Sequence, residues 1–398
     1  MRRVTPATAA IHLVIIFALL ASPSARAQEG TPAAPSTPAA GAPITVVASG
    51  LTNPRGFAWG PDGTLAMALA GSGGETRLPV SGGFTLRIGL TSSVVTVADG
   101  CTSPLQVGLI STHWEETRWI WGAMDVAYLG NELYVLLGGA GASWRSPSSF
   151  SGVYKVNTNR TMNLVADLST WLPANKPSFI APDFNPDGSL YGLTAAGDAL
   201  LVTEAVGGQL IRVTPAGEIS RVADLSEGHP VPTGVAVDPE GNAYVGYLMA
   251  APYIDGSAKV VKVTPDGTVT DAWTGLTAIT DVAFGPDGTL HVSEMSTGNL
   301  LERPFIVPNS GRVVRQTGPD TLEPVVTGLP YPANIGFAPN GLLYLTTPAF
   351  GPDAGVGQGS LISVDPARAP VSYAGFEPPA TCARVSLGET GQRTSRLE

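Results

Sequence analysis

The chain has few of the residues that bind transition metals or form reactive centres. Its 398 residues include four His and two Cys, and no pair of His has metal-ligand spacing. A Gly-x-Ser-x-Gly turn, a phosphate-binding loop and a Gly-x-Gly-x-x-Gly motif at a strand–helix junction are also absent from the sequence. A Ser/His/Asp set can be spread along a sequence, but no feature of this one indicates such a set.

Positive charge is scarce as well. Lys and Arg number 22 against 32 Asp and Glu, which gives a net charge of −10 at pH 7. Because an acidic surface repels phosphate backbones, we expect no nucleic-acid partner. After the first 27 residues no segment resembles a transmembrane helix, so we also expect no membrane span.

The first residues have the pattern of an export signal. Arg2 and Arg3 precede an apolar run over residues 11–20, and the small-x-small sequence Ala25-Arg26-Ala27 follows it. We predict a signal peptide over residues 1–27 and a secreted or extracytoplasmic, monomeric protein. Residues 28–43 are rich in Pro, Ala and Ser. They are predicted to be a disordered spacer, because they cannot bury enough apolar area to fold.

A short cassette repeats along the rest of the chain. Its clearest copies, residues 53–65 and 279–290, consist of an apolar run, a Gly-Pro-Asp-Gly turn and a second apolar run. Pro fixes φ in the turn and Gly accepts a positive φ, so each copy predicts a β-hairpin. A hairpin that repeats about every 40 residues, with insertions, indicates an array of equal structural units. The residues that open the first strands are Gly56, Asp125, Gly192, Gly234, Asp281 and Asn334.

Two further strand signals follow each hairpin except the last, which has only one. In the first unit they are predicted at residues 85–90 and 94–97. The segment Ile44–Leu51 ends in Gly-Leu before a first strand, as residues 323–329 do, and can supply the missing strand. We predict an all-β, six-bladed β-propeller over residues 44–370, with four-stranded blades and the N-terminal strand completing the last blade. Residues 371–398 form a tail.

The insertions are predicted to emerge on one face of the propeller. Turns between first and second strands, and between third and fourth strands, are tight. The long connections are those between blades and those between second and third strands. They lie at residues 101–122, 169–190, 70–84, 138–150, 247–258, 295–310 and 347–358. Loops carry function on rigid scaffolds, so we expect any site on this long-loop face around the mouth of the channel.

Three of the first-strand openers carry side-chain oxygens. Asp125, Asp281 and Asn334 should point toward the central channel, and two carboxylates with an amide are ligand types that suit Ca²⁺. The alternative is that they hydrogen-bond strand-end amides or channel water. Glu204 and Glu294, at the ends of second strands, are expected to accept from adjacent turn amides.

The insertion over residues 113–121 is rich in Trp. Its aromatic side chains could stack on a flat or sugar-like ligand or a partner surface, or pack on each other as a plug over the channel. The candidates for the binding face are Arg55, His113, Trp114, Trp119, Trp121 and Tyr191.

The two cysteines are far apart in sequence. Cys101 follows the predicted blade 1 strands and Cys382 lies in the tail after blade 6, which adjoins blade 1 around the ring. Export permits a disulfide, and this topology brings the two within reach. We predict a Cys101–Cys382 bond; the alternative is two unpaired buried thiols.

Several motifs occur in a fixed order along the chain: Asn53-Pro54-Arg55-Gly56, Gly60-Pro61-Asp62-Gly63, Asp125-Val126-Ala127 and Tyr191-Gly192-Leu193. In this order they resemble the ScyD/ScyE family of exported propellers, which are related to NHL-repeat proteins. The resemblance covers about residues 44–370 and implies the fold and export. It implies no catalytic residues.

Three classes of function remain open on the sequence. The first is a non-enzymatic protein that binds a small ligand or an extracellular partner through its long-loop face. The second is a metal- or quinone-dependent enzyme of the lactonase or sugar-dehydrogenase kind, with its site at the channel mouth. The third is an extracellular structural scaffold.

Overall fold

The computed structural model describes residues 44–80, 83–351 and 355–375. The predicted leader, the spacer and Cys382 lie outside these residues, so the predictions of export and of the disulfide stay predictions. Within the described ranges, no helix is long and apolar enough to cross a membrane.

Six sheets, whose blade strands pair antiparallel, form a six-bladed β-propeller, as predicted. β1 is Ile44–Leu51. Blade 1 holds β2 (Pro54–Trp59), β3 (Leu65–Leu69), β4 (Thr76–Pro79), β5 (Thr85–Ala98), β6 (Cys101–Trp114) and β7 (Trp119–Trp121). Blade 2 holds β8 (Ala123–Leu129), β9 (Glu132–Leu137), β10 (Gly152–Val156) and β11 (Met162–Asp167), followed by the short helix α1 (Leu168–Ala174).

The remaining blades have the simple four-stranded pattern. Blade 3 holds β12 (Leu190–Ala196), β13 (Ala199–Glu204), β14 (Gln209–Val213) and β15 (Ile219–Asp224). Blade 4 holds β16 (Pro232–Val237), β17 (Ala243–Tyr247), β18 (Ala258–Val263) and β19 (Val269–Leu276). Blade 5 holds β20 (Ile279–Phe284), β21 (Leu290–Glu294), β22 (Gly311–Gly318) and β23 (Thr321–Leu329). Blade 6 holds β24 (Ile335–Phe337), β25 (Leu343–Thr347), β26 (Gly359–Val364) and β1, and a 3₁₀ turn follows at Pro366–Arg368.

The repeated turn has the geometry that its sequence predicts. In the first copy, Asp62 Oδ1 accepts from Thr64 N at 3.0 Å, and Gly63 takes a φ of +80°. In the second clear copy, Asp287 Oδ1 accepts from Thr289 N at 2.9 Å. The Asp side chain thus caps the turn while Gly supplies the left-handed backbone.

The N-terminal strand lies at the outer edge of blade 6. β1 pairs antiparallel with β26, with Ile44 opposite Val364 and Val46 opposite Ile362. This is the pairing predicted for residues 44–48. At the centre, the first strand of each blade contacts the first strand of the next, and β2 contacts β24.

In blade 1 the predicted third and fourth strands are wrong. Residues 85–90 and 94–97 belong to one continuous strand, β5, and β3 pairs with its second half over residues 93–97. The fourth strand is the start of β6. The turn between them is Asp99-Gly100, with φ of +49° and +77°. Asp-Gly is a favoured two-residue hairpin turn. This dipeptide, and not the polar residues 91–93, therefore marks the boundary between the third and fourth strands.

The long β5–β6 hairpin continues past the blade as a smaller sheet. β4 pairs with the first half of β5, and β7 pairs with the end of β6. The Trp-rich residues 113–121, predicted as a loop, are therefore a hairpin in which Trp114 pairs with Trp119. Backbone pairing fixes these aromatic side chains more firmly than a loop would.

The chain after blade 6 returns to the outer edge of blade 5. β27 (Val371–Ser372) pairs parallel with β23, Val371 opposite Val326. The first residues of the predicted tail therefore contact blade 5.

Removal of β1 should destabilise the propeller strongly. Ile44, Ala48 and Leu51 are all buried, and β26 would lose its outer partner. Burial of each large aliphatic side chain contributes about 1.5–3 kcal/mol, so a chain starting at residue 53 should lose about 5 kcal/mol of unfolding free energy relative to one starting at residue 44. Urea denaturation of the two truncated chains measures this difference. Equal midpoints would show that β1 is dispensable.

Candidate functional site

A cavity of about 490 Å³ opens among the long connections. We call it the aromatic cavity. The β6–β7 hairpin and the connections 138–150, 169–190 and 247–258 all contribute to its wall, so it lies on the long-loop face, where the sequence predicts a site. Four Trp side chains line it: Trp114, Trp119, Trp121 and Trp144.

The Trp side chains hold one another in place. Trp144 has its ring centroid 4.8 Å from that of Trp121 and 6.3 Å from that of Trp114. Its Nε1 donates to the carbonyl of Gly188 at 3.2 Å. Trp119 stacks on Phe350, with centroids 5.1 Å apart. The two roles predicted for this segment, packing and lining a binding surface, therefore occur together.

Polar contacts tie two of the wall loops to each other. Ser143 donates its backbone N–H to Asp187, and its hydroxyl lies 2.6 Å from the same carboxylate. Asp187 N in turn donates to Asn185 Oδ1 at 3.1 Å. These contacts join the connection after β9 to the connection before β12. The wall formed by Trp144 is thus anchored independently of any ligand.

One side of the aromatic cavity carries an imidazole and a carboxylate. His229 Nε2 lies 3.3 Å from Asp183 Oδ1, and both residues line the cavity. His229 and Val231 take φ of +55° and +56°, a left-handed conformation that costs non-Gly residues about 1–2 kcal/mol. The segment that presents His229 is therefore held in an unfavourable backbone conformation by its surroundings.

Behind the cavity, Glu204 is fully buried without a cation. Its Oε1 accepts from Ser189 N at 2.8 Å, which confirms the predicted turn contact, and burial raises its pKa to about 7. Glu294, at the same position in blade 5, accepts from Thr277 N at 2.6 Å but also pairs with Arg312. Since Glu204 has a Gln as its cross-strand neighbour where Glu294 has Arg, its charge is uncompensated.

In the channel, Asp125 connects three blades. Its Oδ2 accepts from Leu193 N in blade 3 at 2.7 Å, and its Oδ1 accepts from Val126 N at 2.8 Å. A Cβ built on Gly56 in blade 1 would lie 1.6 Å from Asp125 Oδ1, so only Gly allows this approach. The carboxylate fills the space that a side chain in blade 1 would need.

Asp281 repeats the arrangement on the other half of the ring. Its Oδ2 accepts from Ile335 N in blade 6 at 2.8 Å, and a Cβ built on Gly234 in blade 4 would lie 2.0 Å from its Oδ1. Asn334 also hydrogen-bonds Asp281. Burial raises the pKa of Asp281 to about 7; burial, and then the charge of Asp281, raise the pKa of Asp125.

These contacts match the alternative in which the residues that open the first strands hydrogen-bond strand-end amides. Backbone amides occupy the oxygens of both carboxylates that a cation would use. In the described residues, no group of three or more His, Cys, Asp or Glu has a metal-binding arrangement. The Ca²⁺ site at Asp125, Asp281 and Asn334 stays a prediction.

The structure brings four of the six binding-face candidates together. Trp114, Trp119, Trp121 and Tyr191 line the aromatic cavity. His113 is half-buried outside the lining.

Arg55 is also outside the lining. It is buried, and its guanidinium donates to the carbonyls of Ala349 and Ile120. It lies 5.7 Å from the ring centroid of Phe350. Arg55 thus links β7 to the connection that follows β25 instead of facing solvent.

Sequence reasoning missed several residues of the wall. They are Phe84, Trp144, Asp183, Phe184, His229 and Tyr253. All but His229 lie in connections already assigned to the long-loop face. Their position in these connections was the signal that the sequence offered. That these residues converge on one cavity follows only from the closed ring.

Comparisons with known proteins show the fold and no family. No protein-family model and no curated protein matches the chain. A solved Thermus thermophilus protein assigned as an oxidoreductase (glucose dehydrogenase) is 15% identical, with a TM-score of 0.51 over 81% of this chain and 99% of its own. A Bacteroides thetaiotaomicron protein of unknown function is 10% identical, with a TM-score of 0.50 over 81% of this chain and 75% of its own. These neighbours are six-bladed propellers.

Glu204→Gln should stabilise the protein more at alkaline than at acidic pH. Because burial raises the folded-state pKa of Glu204 to about 7, the folded chain holds this proton more tightly than the unfolded chain, and stability falls as pH rises from the ordinary carboxyl range through 7. Gln keeps the acceptor for Ser189 N. We expect a higher melting temperature than wild type at pH 8, corresponding to on the order of 2 kcal/mol, and a much smaller difference at pH 5.

The matched control is Glu294→Gln. It removes the carboxylate partner of Arg312. Burial raises the pKa of Glu294 as well, but Arg312 opposes this shift, so the gain in melting temperature at pH 8 should be smaller than that of Glu204→Gln. An equal shift from Glu204→Gln at pH 5 and pH 8 would show that its charge does not matter.

Proposed function

We propose that this protein is an exported, monomeric, non-enzymatic propeller that binds a small organic molecule in the aromatic cavity. One observation carries the proposal: four Trp side chains line a cavity of about 490 Å³ on the long-loop face. Small-molecule sites have volumes of about 300–1,000 Å³ and combine apolar walls with a few polar groups. The aromatic cavity has this composition.

The wall is organised in advance of binding. Trp144 is 2% exposed and hydrogen-bonded through Nε1, and Trp119 is stacked on Phe350. Ring positions fixed by protein contacts reduce the entropy that a ligand must remove on binding. This supports a role in recognition.

The leader pattern over residues 1–27 supports export. The order of the cassette motifs supports a propeller of ScyD/ScyE type. Both are inferences from the sequence, and they complete the proposal with a location outside the cytoplasm.

A catalytic role of the same cavity is the second candidate. The observation that favours it is the 3.3 Å approach of His229 Nε2 to Asp183 Oδ1. A carboxylate beside an imidazole orients a general base and stabilises its protonated form. The enzyme would then use acid–base chemistry on a ligand held by the Trp side chains.

Binding should depend on the Trp wall. A panel of flat aromatic compounds, sugars and amines is screened by thermal shift, and the dissociation constant of each ligand found is measured by calorimetry. Trp121→Leu should weaken binding about tenfold or more, since aromatic contacts contribute about 1–2 kcal/mol beyond area. Trp59→Leu is the control, because Trp59 is partly buried and outside the cavity lining. A ligand that binds both variants and wild type equally would place the site elsewhere.

The two candidates differ in the fate of the ligand. We expect mass spectrometry to find the ligand chemically unchanged after prolonged incubation with the protein. Conversion that disappears in His229→Ala, with the dissociation constant retained, would contradict the non-enzymatic proposal and support the second candidate.

A further inference from the structure

We propose that the aromatic cavity takes an organic cation, a quaternary ammonium or a protonated tertiary amine, held between Trp faces and the carboxylate of Asp183. The inference rests on the proposed function, that the aromatic cavity is a ligand site, and adds the chemical class of the ligand.

The Trp side chains have the geometry of a cation site. A cation is attracted to an aromatic face within about 6 Å of the ring centroid, and Trp is the strongest of the aromatic residues. The ring of Trp144 is inclined by 48° to Trp121 and by 69° to Trp114, at centroid distances of 4.8 and 6.3 Å. Trp144 is 2% exposed and supports Trp114 and Trp121 from behind, and these two partly exposed rings line the cavity, where a cation would contact them.

The charge of the wall has the sign that a cation needs. Of the described residues that line the aromatic cavity, Asp183 is the one carboxylate, and none is Lys or Arg. His229 lies beside it, and, after burial, the negative charge of Asp183 also contributes to the raised pKa values of Tyr253 and Glu204.

The cation of Arg55 does not reverse this sign. Arg55 acts electrostatically on Tyr191, and the ionised forms of Asp281 and Asp125 act on it in the opposite sense. Arg55 is outside the lining and directs its guanidinium at the carbonyls of Ala349 and Ile120. The wall therefore attracts positive charge on its Asp183 side.

Three polar side chains of the wall already have partners within the protein. The Ser143 hydroxyl is engaged with Asp187, and the Thr233 hydroxyl donates to Ile279 O at 2.8 Å. Asn185 Oδ1 accepts from Asp187 N. A ligand rich in hydroxyls would lose hydrogen bonds to water that these engaged groups do not replace. The methyl groups of an ammonium ion need no such partners.

The first experiment compares choline with 3,3-dimethyl-1-butanol (dimethylbutanol), in which an uncharged carbon replaces the ammonium nitrogen and the shape is the same. Dissociation constants are measured by calorimetry on the full mature protein. If the positive charge is recognised, choline binds about tenfold or more tightly than dimethylbutanol. Equal affinities would overturn the proposal.

The second experiment removes the carboxylate. Asp183→Asn should weaken choline about tenfold and leave dimethylbutanol unchanged, while circular dichroism checks the fold. Asp198→Asn is the control, because Asp198 is an exposed carboxylate paired with Arg212 outside the cavity. Equal weakening of both ligands by Asp183→Asn would show that Asp183 affects the shape of the cavity and does not recognise the charge of the ligand, which contradicts its proposed role. If Asp183→Asn does not fold, the comparison of the two ligands on wild type still decides.

The outcomes separate this inference from the proposed function. If choline fails to bind at concentrations up to about 10 mM, while a neutral aromatic compound or sugar binds and is weakened by Trp121→Leu, the cavity is a ligand site and the cation proposal is wrong. If neither choline nor any compound of the panel binds, both proposals are wrong.

Discussion

The propeller depends on how closely its innermost strands approach one another at the axis. Asp125 and Asp281 each take the space in front of a Gly in the preceding blade and accept a backbone N–H from the following blade. Each carboxylate thus joins three blades, and the two are three blades apart. Burial costs both charges part of their solvation, as their raised pKa values show. The hydrogen bonds to the next blade offset this cost and fix the spacing of the sheets.

A ring fixed in this way allows the long loops to vary without loss of the fold. The largest elaboration is the β5–β6 hairpin, which ends in paired strands and carries the Trp side chains toward the connections of blades 2 to 4. The aromatic cavity is therefore built between blades, by groups that no single repeat contains. A wall of paired strands and interlocked rings is rigid, which suits recognition of a ligand of defined shape.

Two buried glutamates show how one cross-strand neighbour changes the electrostatics of a repeat. Glu204 and Glu294 occupy the same place in their blades and make the same contact with a backbone amide. Arg312 pairs with Glu294 and partly offsets its burial, while Glu204 faces Gln209 and has no cation, close to the aromatic cavity. Together with Asp183, this gives the side of blade 3 at the cavity a negative or protonatable character, which the apolar Trp side lacks.

The sequence by itself determined the fold, because the turn of residues 60–63 and its copies are local signals with a local cause: Asp caps the turn and Gly takes positive φ. It also predicted the pairing of β1 with the last blade and the face that carries the long loops. Tertiary structure decided the site. The approach of Trp121 to Trp144, and of His229 to Asp183, joins segments far apart in sequence, and their distances are set by the packing of the blades. The openers show the same division: sequence identified Asp125 and Asp281, but only the ring showed that backbone amides of neighbouring blades are their partners.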